Sequence, residues 1–554
     1  MKVLTANLIW FLYSAVRTRH WKRASRDVEE AQKEILLRLL SSSAGTAFGR
    51  RHSFGGIDSV AAFQETVPIQ SYEDIRPDIE AIAAGAPDVL TADEVHRFGV
   101  SSGSTSASKL VPYTASLVAE FQEGIDPWIY HFMREHPRML GGRAYWSVTP
   151  VGDREKRSSG GIPIGFDDER SYFGKLTQWV LGTVMAAPSE LALVQDMDAF
   201  RYATLRFLLQ EKSLSWLSVW NPSFVTLLLS PLEKWLERLI GDVRSGSLSV
   251  DLGVSPEVAA RIRKTLKASP RRARELEQIR DRRSGNLYES IWPHLRLVSC
   301  WAHGNAAEAV NPLRDYFPNA IIQPKGLIAT EAFVSFPLRG EASALSINSH
   351  FFEFEEIEGQ VIKLAHQLDV GKQYAVIVTT GGGLYRYRLH DVIEALGFEN
   401  QCPLIRFIGR QDKVVDVRGE KLNEGFVSDV ARRKLSRSGH HATFWMVAPE
   451  VSSVNDFAYT LFIQLQGNVV NDSMIAALGP ELDAAFRENF HYDYCRRLGQ
   501  LEEVRVFLIG PGQDASHVYL TTCAASGQRL GDIKPVALHP FQHWSERFQG
   551  RFVS

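Results

Sequence analysis

The chain has 554 residues, 45% of them hydrophobic, and is therefore long enough to bury at least two cores. Its 62 lysines and arginines nearly balance 64 aspartates and glutamates, so it lacks the strong positive field that favours nucleic-acid binding. Its 4 cysteines are widely spaced, unlike those of a zinc site or a disulfide framework. We expect a cytoplasmic protein of several domains that does not bind nucleic acid.

The N-terminal stretch "MKVLTANLIWFLYSAV" is largely apolar, but Thr5, Asn7 and Ser14 interrupt it and basic residues follow. It is shorter than the roughly 20 apolar residues that a membrane span needs. We therefore expect a helix packed on the body of the protein, with no export signal and no membrane span. Residues 28–40 have apolar side chains at helical spacing, and "SYEDIRPDIEAIAAG" is typical of capped helical turns. The first hundred residues are predicted to be mostly helical.

Strand-like and helix-like segments alternate in the middle of the chain. "AYWSVTP" and "LSWLSVW" are typical of strands, and "PSFVTLLLSPLEKWLERLI" is typical of helix, so the pattern indicates an α/β architecture. Residues 261–283 contain 10 basic and 3 acidic residues. This segment is either a docking face for an acidic partner or carrier protein, or a solvated helical excursion, and we favour the excursion.

From about residue 343 the pattern changes to strand, in "ALSINSHFFEFEEI", "QYAVIVTT", "LYRYRLHDVIEAL" and "LIRFIGR". The last 140 or so residues indicate a compact α+β unit with "DFAYTLFIQLQ" and "EEVRVFLIGPG" as strands. Polar residues at 411–413 separate two apolar strands and indicate a domain boundary. The predicted domains are residues 1–411 and 412–554.

The stretch "VSSGSTSASKLVPYT" at residues 100–114 has the composition of a phosphate-binding loop. Both flanks are strand-like and Thr114 is a candidate N-cap, so the loop joins two strands and is not a Walker P-loop. Its hydroxyl groups, beside the compact backbone at Gly103 and with Lys109 just beyond, are able to surround a triphosphate. These hydroxyls belong to Ser101, Ser102, Ser104, Thr105 and Ser106. A flexible connector has the same composition, so both interpretations remain open at this point.

Three further residues are candidates for ligand binding or catalysis. Glu331 in "GLIATEAFVSF" lies between apolar residues, where a carboxylate binds Mg²⁺ on ATP or ends a strand in water. In "LYRYRLHDVIE", strand alternation places Tyr385, Tyr387, Leu389 and Asp391 on one side and Arg386, Arg388 and His390 on the other. Asp391 either accepts hydrogen bonds from a ribose or pairs with an arginine. Lys534 in "GQRLGDIKP" is either a mobile catalytic lysine or a solvated one.

The order of these motifs carries more information than each motif alone. "SSGST…K", "ATE", "YRYRLHD", "GRQDK" and a late loop lysine occur in the order found in adenylate-forming enzymes. Within that superfamily the chain most closely resembles the acyl-acid amido synthetases, which include the auxin- and jasmonate-conjugating enzymes of plants and their bacterial relatives. The likeness runs nearly end to end, from "TAFGRRHSFGGIDSV" through "VWNPSFVTLLL" to "FIGRQDKVVDVRGEKLNE".

The resemblance implies a ligase with an adenylate-forming α/β fold. It implies a large multi-layer N-terminal domain with a β-barrel portion, and a small mobile α+β C-terminal domain that turns about Asp412 and Lys413. Nucleotide binding is implied for Arg410, Asp391 and the adenine-side Ala329 and Thr330, and for the loop residues Ser101, Ser102, Gly103, Ser104, Thr105 and Lys109. Glu331 would bind Mg²⁺, and Lys534 would act in catalysis.

The acyl pocket is expected near the helix around residues 121–128 and the segment "GIPIGFDDERSYFG", with candidates Phe121, Trp128, Phe166, Tyr172 and Phe173. Two positions depart from the family pattern, since Ser104 replaces a threonine and His390 replaces a glycine. Ser104 retains the hydroxyl group, whereas a side chain at His390 puts the geometry of ribose binding in question.

The reaction that the resemblance implies has two steps. A carboxylic acid is adenylated by ATP with release of pyrophosphate, and an amine, expected to be an amino acid, then takes the acyl group and releases AMP. The alternatives are transfer to coenzyme A or a carrier-protein thiol, and a catalytically silent adenylate-binding protein. We expect a monomer whose partners are small molecules.

Overall fold

The computed structural model describes residues 2–101, 109–147, 156–165, 175–282, 285–302, 310–411, 414–415, 417–418, 420, 422–438, 441–451, 457–466, 472–497, 500–526, 528 and 533–553. The chain divides into two compact units. The first covers Met1–His303 and Ala309–Phe407, and the second covers Ile408–Ser554.

The first hundred residues are mostly helical, as predicted, and contain the first five helices of the first unit. The described helices of this unit are α1 Lys2–Ala24, α2 Val28–Ser43, α3 Ala47–Arg51, α4 Val60–Thr66, α5 Tyr72–Ala83, α6 Ala115–Glu135, α7 Lys175–Val184, α8 Met197–Gln210, α9 Pro222–Leu229, α10 Leu232–Ser245, α11 Pro256–Lys264, α12 Pro270–Arg282, α13 Leu287–Ile291 and α14 Asn311–Tyr316. None of the helices in these described ranges combines the length and hydropathy needed to cross a membrane.

Side-chain caps fix where these helices begin. The Asp27 carboxylate accepts a hydrogen bond from the Glu30 amide at the start of α2, and Ser71 and Asp74 form a capping box at the start of α5. The Thr114 hydroxyl accepts from the Leu117 amide at the start of α6. The predicted capped turns and the predicted N-cap are both confirmed.

The described residues of the first unit form three sheets. Their strands are β1 Arg97–Ser101, β2 Lys109–Tyr113, β3 Arg143–Trp146, β4 Lys156–Arg157, β5 Pro163–Ile164, β6 Leu214–Ser218, β7 Leu297–Cys300, β8 Ile321–Pro324, β9 Ser335–Arg339, β10 Ala342–Leu345, β11 Phe351–Glu356, β12 Ile362–Leu364, β13 Gln373–Thr379, β14 Tyr387–Glu399 and β15 Cys402–Arg410. One sheet has the order β2-β1-β5-β4, and a parallel sheet has the order β3-β6-β7-β8.

The β-rich region, expected to form a barrel portion, is a seven-stranded sheet with the order β12-β11-β13-β14-β15-β10-β9. One hydrophobic core lies between this sheet and the N-terminal helices, and it includes Trp10, Trp21, Phe336 and Phe352. A second core packs α8 to α14 around the parallel sheet. Together these layers form the α/β architecture that the alternating segments predicted.

Two predicted segments differ in detail. The long helical segment after Asn221 is two helices, because Pro231 has no amide hydrogen to continue α9, which ends at Leu229. Strand β14 begins at Tyr387, two residues later than the predicted alternation, because Arg386 adopts a left-handed backbone with φ of 46°. The buried guanidinium of Arg386 forms two hydrogen bonds of 2.9 Å with the Glu353 carboxylate.

The described part of the basic segment, residues 261–282, lies mostly in helices, as the favoured interpretation required. It contributes to α11 and α12. Most of its charged side chains are exposed, but Arg272 is buried and donates hydrogen bonds to the Leu209 and Ile291 carbonyls. This arginine therefore fastens α12 to its own domain.

The second unit is an α+β fold with its own hydrophobic core. Its described elements are β16 Val414–Val415, β17 Leu422–Asn423, α15 Glu424–Ser438, β18 Ala442–Val451, β19 Phe457–Leu465, α16 Asp472–Ala476, α17 Leu478–Phe486, α18 Phe490–Arg497, β20 Leu501–Ile509, α19 Ala515–Ala525 and β21 Gly550–Val553. A two-stranded sheet pairs β16 with β17, and a four-stranded sheet has the order β18-β19-β20-β21. The two predicted strands of this region correspond to β19 and β20.

Candidate functional site

The serine-rich stretch joins the two strands of a hairpin. Strands β1 and β2 pair antiparallel, with Ser101 opposite Lys109 at the end of the hairpin where the loop connects them, and α6 follows directly. The predicted strand–loop–strand order is confirmed. The predicted phosphate ligands Ser102, Gly103, Ser104 and Thr105 lie outside the described residues.

The N-terminal end of strand β2, next to the loop, is held in place by Tyr72. The Tyr72 hydroxyl accepts a hydrogen bond of 2.9 Å from the Leu110 amide. The Lys109 ammonium lies 5.7 Å from the centre of the Tyr72 ring, within the range of a cation–π contact. The cation at the end of the motif therefore has a defined position on the first unit.

Glu331 lies in a tight turn after β8. Ile328 and Phe333 form a bridge, and the Ala329 amide donates to the Ala332 carbonyl across the turn. The Glu331 side chain is only 8% exposed, which excludes the alternative of a fully hydrated strand end. The Tyr113 hydroxyl donates a 2.6 Å hydrogen bond to the Thr330 carbonyl. The last residue of the hairpin thus contacts the turn that contains the motif glutamate.

A buried Glu120–His350 pair supports this turn from behind. The two side chains meet at 2.8 Å, and the Nε2 of His350 accepts from the Phe333 amide at 3.0 Å. His350 is therefore the tautomer that carries hydrogen on Nδ1 and donates it to Glu120. The Glu120 carboxylate also accepts from the Gly381 amide at 2.9 and 3.0 Å.

The same contacts hold the glycine-rich "TTGGG" loop that precedes β14. The Thr114 hydroxyl donates to the Gly381 carbonyl at 3.0 Å. A Cβ atom on Gly381 would lie 2.7 Å from a Glu120 oxygen, so this approach requires glycine. The structure therefore brings the hairpin, the glutamate turn and the glycine loop together through Glu120 and its neighbours.

Asp391 is 4% exposed and lies at an irregularity in β14. Arg388 pairs with Ile377 and Val392 pairs with Ala375, so three residues of β14 oppose one residue of β13, which is a bulge. Within the bulge His390 has φ of 64°. His390 thus adopts the left-handed backbone that favours glycine, and the chain keeps the local shape that a glycine would allow.

The two aromatic residues predicted on α6 face different surroundings. Phe121 lies about 6 Å from the rings of Tyr113, Phe333 and His350. A Cβ atom on Gly124 would lie 2.1 Å from the Phe333 ring, so α6 and the glutamate turn approach closely. Phe121 therefore packs between the hairpin and the glutamate turn.

Trp128 lies beside the carboxyl ends of the parallel strands, the edge where α/β sheets bind ligands. Its indole donates to Gln323 at 3.1 Å, and the buried Lys325 ammonium lies 5.0 Å from the rings of Trp128 and Trp220. Lys325 also donates to the Ser218 hydroxyl at 2.8 Å. This edge therefore combines aromatic surface with a fixed positive charge.

Of the remaining predicted residues, several lie outside the described part of the chain. These are the acyl-pocket candidates Phe166, Tyr172 and Phe173 and the hinge residues Asp412 and Lys413. Arg410 ends β15. Lys534 has an exposed side chain in the second unit, and its backbone carbonyl accepts from the Tyr519 hydroxyl at 2.9 Å, so its backbone is anchored.

Sequence reasoning missed Glu120, His350, Tyr113 and Lys325. A signal for Glu120 was present, because Leu117, Glu120, Gly124 and Trp128 recur at helical spacing and all are buried. A carboxylate in such a stripe needs a partner, but its partner lies 230 residues away. The sequence contains no indication of that pairing.

Comparison with known proteins identifies the family. The GH3 family N-terminal domain matches residues 17–322, and the GH3 family central domain matches residues 343–410. The probable indole-3-acetic acid-amido synthetase GH3.12 of Oryza sativa subsp. japonica is 24% identical, over 92% of this chain and 91% of its own length. Jasmonoyl--L-amino acid synthetase JAR4 of Nicotiana attenuata is also 24% identical, over 77% of this chain and 80% of its own.

A solved structure has the same fold. The AtGH3.15 acyl acid amido synthetase in complex with 2,4-DB superposes with a TM-score of 0.81 at 20% sequence identity, covering 95% of this chain and 94% of that one. The N-terminal match alone spans more than half of the residues, and the chain therefore belongs to the GH3 family.

Proposed function

We propose that the chain is an ATP-dependent acyl-acid amido synthetase, which activates a carboxylic acid as its acyl-adenylate and transfers the acyl group to an amine, expected to be an amino acid. The main structural support for this proposal is the hydrogen bond from the Tyr113 hydroxyl to the Thr330 carbonyl. It joins the end of the serine-rich hairpin to the turn that contains Glu331. The relatives named as amido synthetases, matched along most of their length, support the same reaction.

The proposed nucleotide site uses both sides of this junction. The serine-rich loop and Lys109 would surround the phosphates, Asp391 would accept from the ribose hydroxyls, and Ala329 and Thr330 would lie beside the base and the α-phosphate. His390 adopts the left-handed backbone that glycine would adopt at the bulge, and this conformation is compatible with ribose binding next to Asp391.

Magnesium fits the residues present. Among the described residues, no group of three or more His, Cys, Asp or Glu side chains is arranged to hold a metal ion. Glu331 is a single buried carboxylate. Mg²⁺ usually binds through one or two carboxylates plus phosphate oxygens. Glu331 would hold Mg²⁺ brought in with ATP, and the ion would supply positive charge beside the phosphates.

The first step would form the adenylate. A carboxylate oxygen of the acid attacks the α-phosphorus of ATP, the bond to the bridging oxygen breaks, and pyrophosphate leaves. Lys109 and Lys534 would offset charge on the phosphates. The acid would lie along α6 beside Trp128, where the aromatic side chains at the edge of the parallel sheet would exclude water.

The second step would form the amide. The amine nitrogen attacks the adenylate carbonyl, loses a proton and displaces AMP. We propose that residues 412–554 act as a small mobile domain that turns about Asp412 and Lys413 between the two steps. Such a movement would exchange pyrophosphate for the amine while the adenylate stays shielded from water.

Two measurements test the proposal. Exchange of labelled pyrophosphate into ATP that depends on an added acid would demonstrate adenylation, and its absence across a broad panel of acids would contradict it. Mass spectrometry of products formed with amino acids or coenzyme A supplied in parallel then identifies the acceptor. An amide supports the proposal, and a thioester alone would replace the second step with thiol transfer.

A further inference from the structure

Helix α1 has an unusual distribution of side chains. Its inward face is formed by Ala6, Asn7, Trp10, Ser14, Thr18 and Trp21, all buried. The Asn7 amide donates to the Leu140 and Gly142 carbonyls, and the Trp21 indole donates to the Leu345 carbonyl. Polar hydrogen bonds therefore hold much of this face to the body of the protein.

The opposite side, here named the α1 outer face, is apolar along three turns. It consists of Leu4, Leu8, Leu12 and Val16 followed by Arg19 and Arg23. The four aliphatic side chains are 43, 40, 64 and 51% exposed, respectively. Their four-residue spacing aligns them in one row about 18 Å long. Exposed leucines scattered singly are ordinary, but an aligned row is typical of a binding surface.

The charges on α1 are all of one sign. The sequence of Lys2–Ala24 contains no aspartate or glutamate. The row of aliphatic side chains runs directly into Arg19 and Arg23, which continue the same face and are exposed. An apolar row that ends in arginines, on a helix without acidic residues, fits a surface that is apolar inside and negatively charged outside.

We propose that the α1 outer face binds the surface of an anionic lipid bilayer. Interfacial helices lie in the membrane plane, bury their apolar side roughly 5–10 Å deep and place basic residues among the headgroups. Helix α7, which packs against α1, also contains a tryptophan, Trp179, that is 50% exposed. Tryptophan is enriched at such interfaces.

A second copy of the chain fits this face less well. Stable dimers use roughly 20–30 residues from each partner, whereas the α1 outer face is a single convex row. The row also precedes the segment that matches the GH3 N-terminal domain, which begins at residue 17. Membrane attachment therefore goes beyond amide synthesis and rests on different residues.

The test uses the full chain and vesicles of phosphatidylcholine, either alone or with about one quarter phosphatidylglycerol. In flotation assays we expect binding to the anionic vesicles that weakens as salt is raised. Arg19→Gln with Arg23→Gln should lower the affinity by roughly fivefold for each charge removed. Leu8→Gln with Leu12→Gln should lower it at least about tenfold. Val361→Gln with Val370→Gln, which alters equally exposed valines elsewhere, should bind like the unmodified chain.

Failure of the unmodified chain to bind either vesicle type would overturn the proposal, as would unchanged binding by the leucine variant. A dimer in sedimentation velocity that the leucine variant abolishes, without vesicle binding, would assign the face to a second copy. Acid-dependent pyrophosphate exchange without vesicles should be equal in all variants. This comparison separates failure of membrane binding from failure of the proposed enzymatic function.

Discussion

At the scale of single residues, the proposed chemistry depends most on Glu331, a buried carboxylate in a turn of small residues. Glu331→Gln keeps the size and removes the charge that would hold Mg²⁺. We expect acid-dependent pyrophosphate exchange to fall at least about a hundredfold. Glu358→Gln, at an exposed glutamate of the same unit, is the matched control and should retain full activity. Normal exchange by the Glu331 variant would remove this residue from the nucleotide site.

His390 adopts a backbone conformation that glycine adopts more easily. At a φ of 64°, a residue with a Cβ atom lowers the free energy of unfolding by about 1 kcal/mol relative to glycine. His390→Gly and His390→Ala both remove the imidazole, so their difference isolates the backbone cost. The glycine variant should unfold at the higher temperature in a thermal melt. Equal melting temperatures would show that the bulge relaxes on substitution.

His131 provides a prediction about pH. Burial, followed by the charges of Lys22, Arg134 and Arg339, lowers its pKa from 6.5 to about 4. Its Nε2 is buried without a hydrogen-bond partner. Because the folded pKa lies below the unfolded one, the unfolded state binds more protons between these values, and stability is lost as pH falls from about 6.5 to 4.

Over that range His131→Phe should gain stability relative to the unmodified chain, by up to about 3 kcal/mol at the acidic end. The measurement is the difference in denaturant midpoint between the two proteins as a function of pH. A difference that stays constant from pH 7 to about 4 would show that this histidine is protonated in the folded state without cost.

At the scale of elements, α6 connects the glutamate turn to the glycine loop. Its Glu120 binds His350, which holds the glutamate turn, and also binds the glycine loop. Glu120→Ala would leave two buried donors without acceptors, at about 1–3 kcal/mol each. We expect a lower melting temperature and a raised KM for ATP. Glu135→Ala, at an exposed position on the same helix, should change neither, and an unchanged KM for ATP in the Glu120 variant would limit its role to stability.

The elements themselves were largely predictable. Apolar spacing located α2, and the Ser71 capping box located the start of α5, because both signals act within a few residues. Pro231 breaks a helix for an equally local reason. The αL backbone of Arg386 was not predictable, because its guanidinium is positioned by Glu353, 33 residues away in sequence, and by the carbonyls of Gln64 and Val67.

At the scale of the whole molecule, Lys534 tests whether the second unit takes part in adenylation. Its exposed side chain on an anchored backbone suits a residue that reaches phosphates only in one domain arrangement. Lys534→Ala should reduce pyrophosphate exchange about a hundredfold while the Kd for ATP changes less than about threefold. Lys434→Ala, another lysine of this unit, serves as the control. Equal loss of exchange and of ATP binding would make Lys534 a binding residue.

The sequence by itself determined the family, the order of the motifs and most helices and strands. These depend on residue type and on spacing along the chain, which folding does not change. Only the tertiary structure decided that Glu331 is buried, that Tyr113 contacts its turn and that Glu120 pairs with His350. The same is true of the aliphatic row on α1, because periodicity shows that a helix has two faces and only packing shows which one is covered.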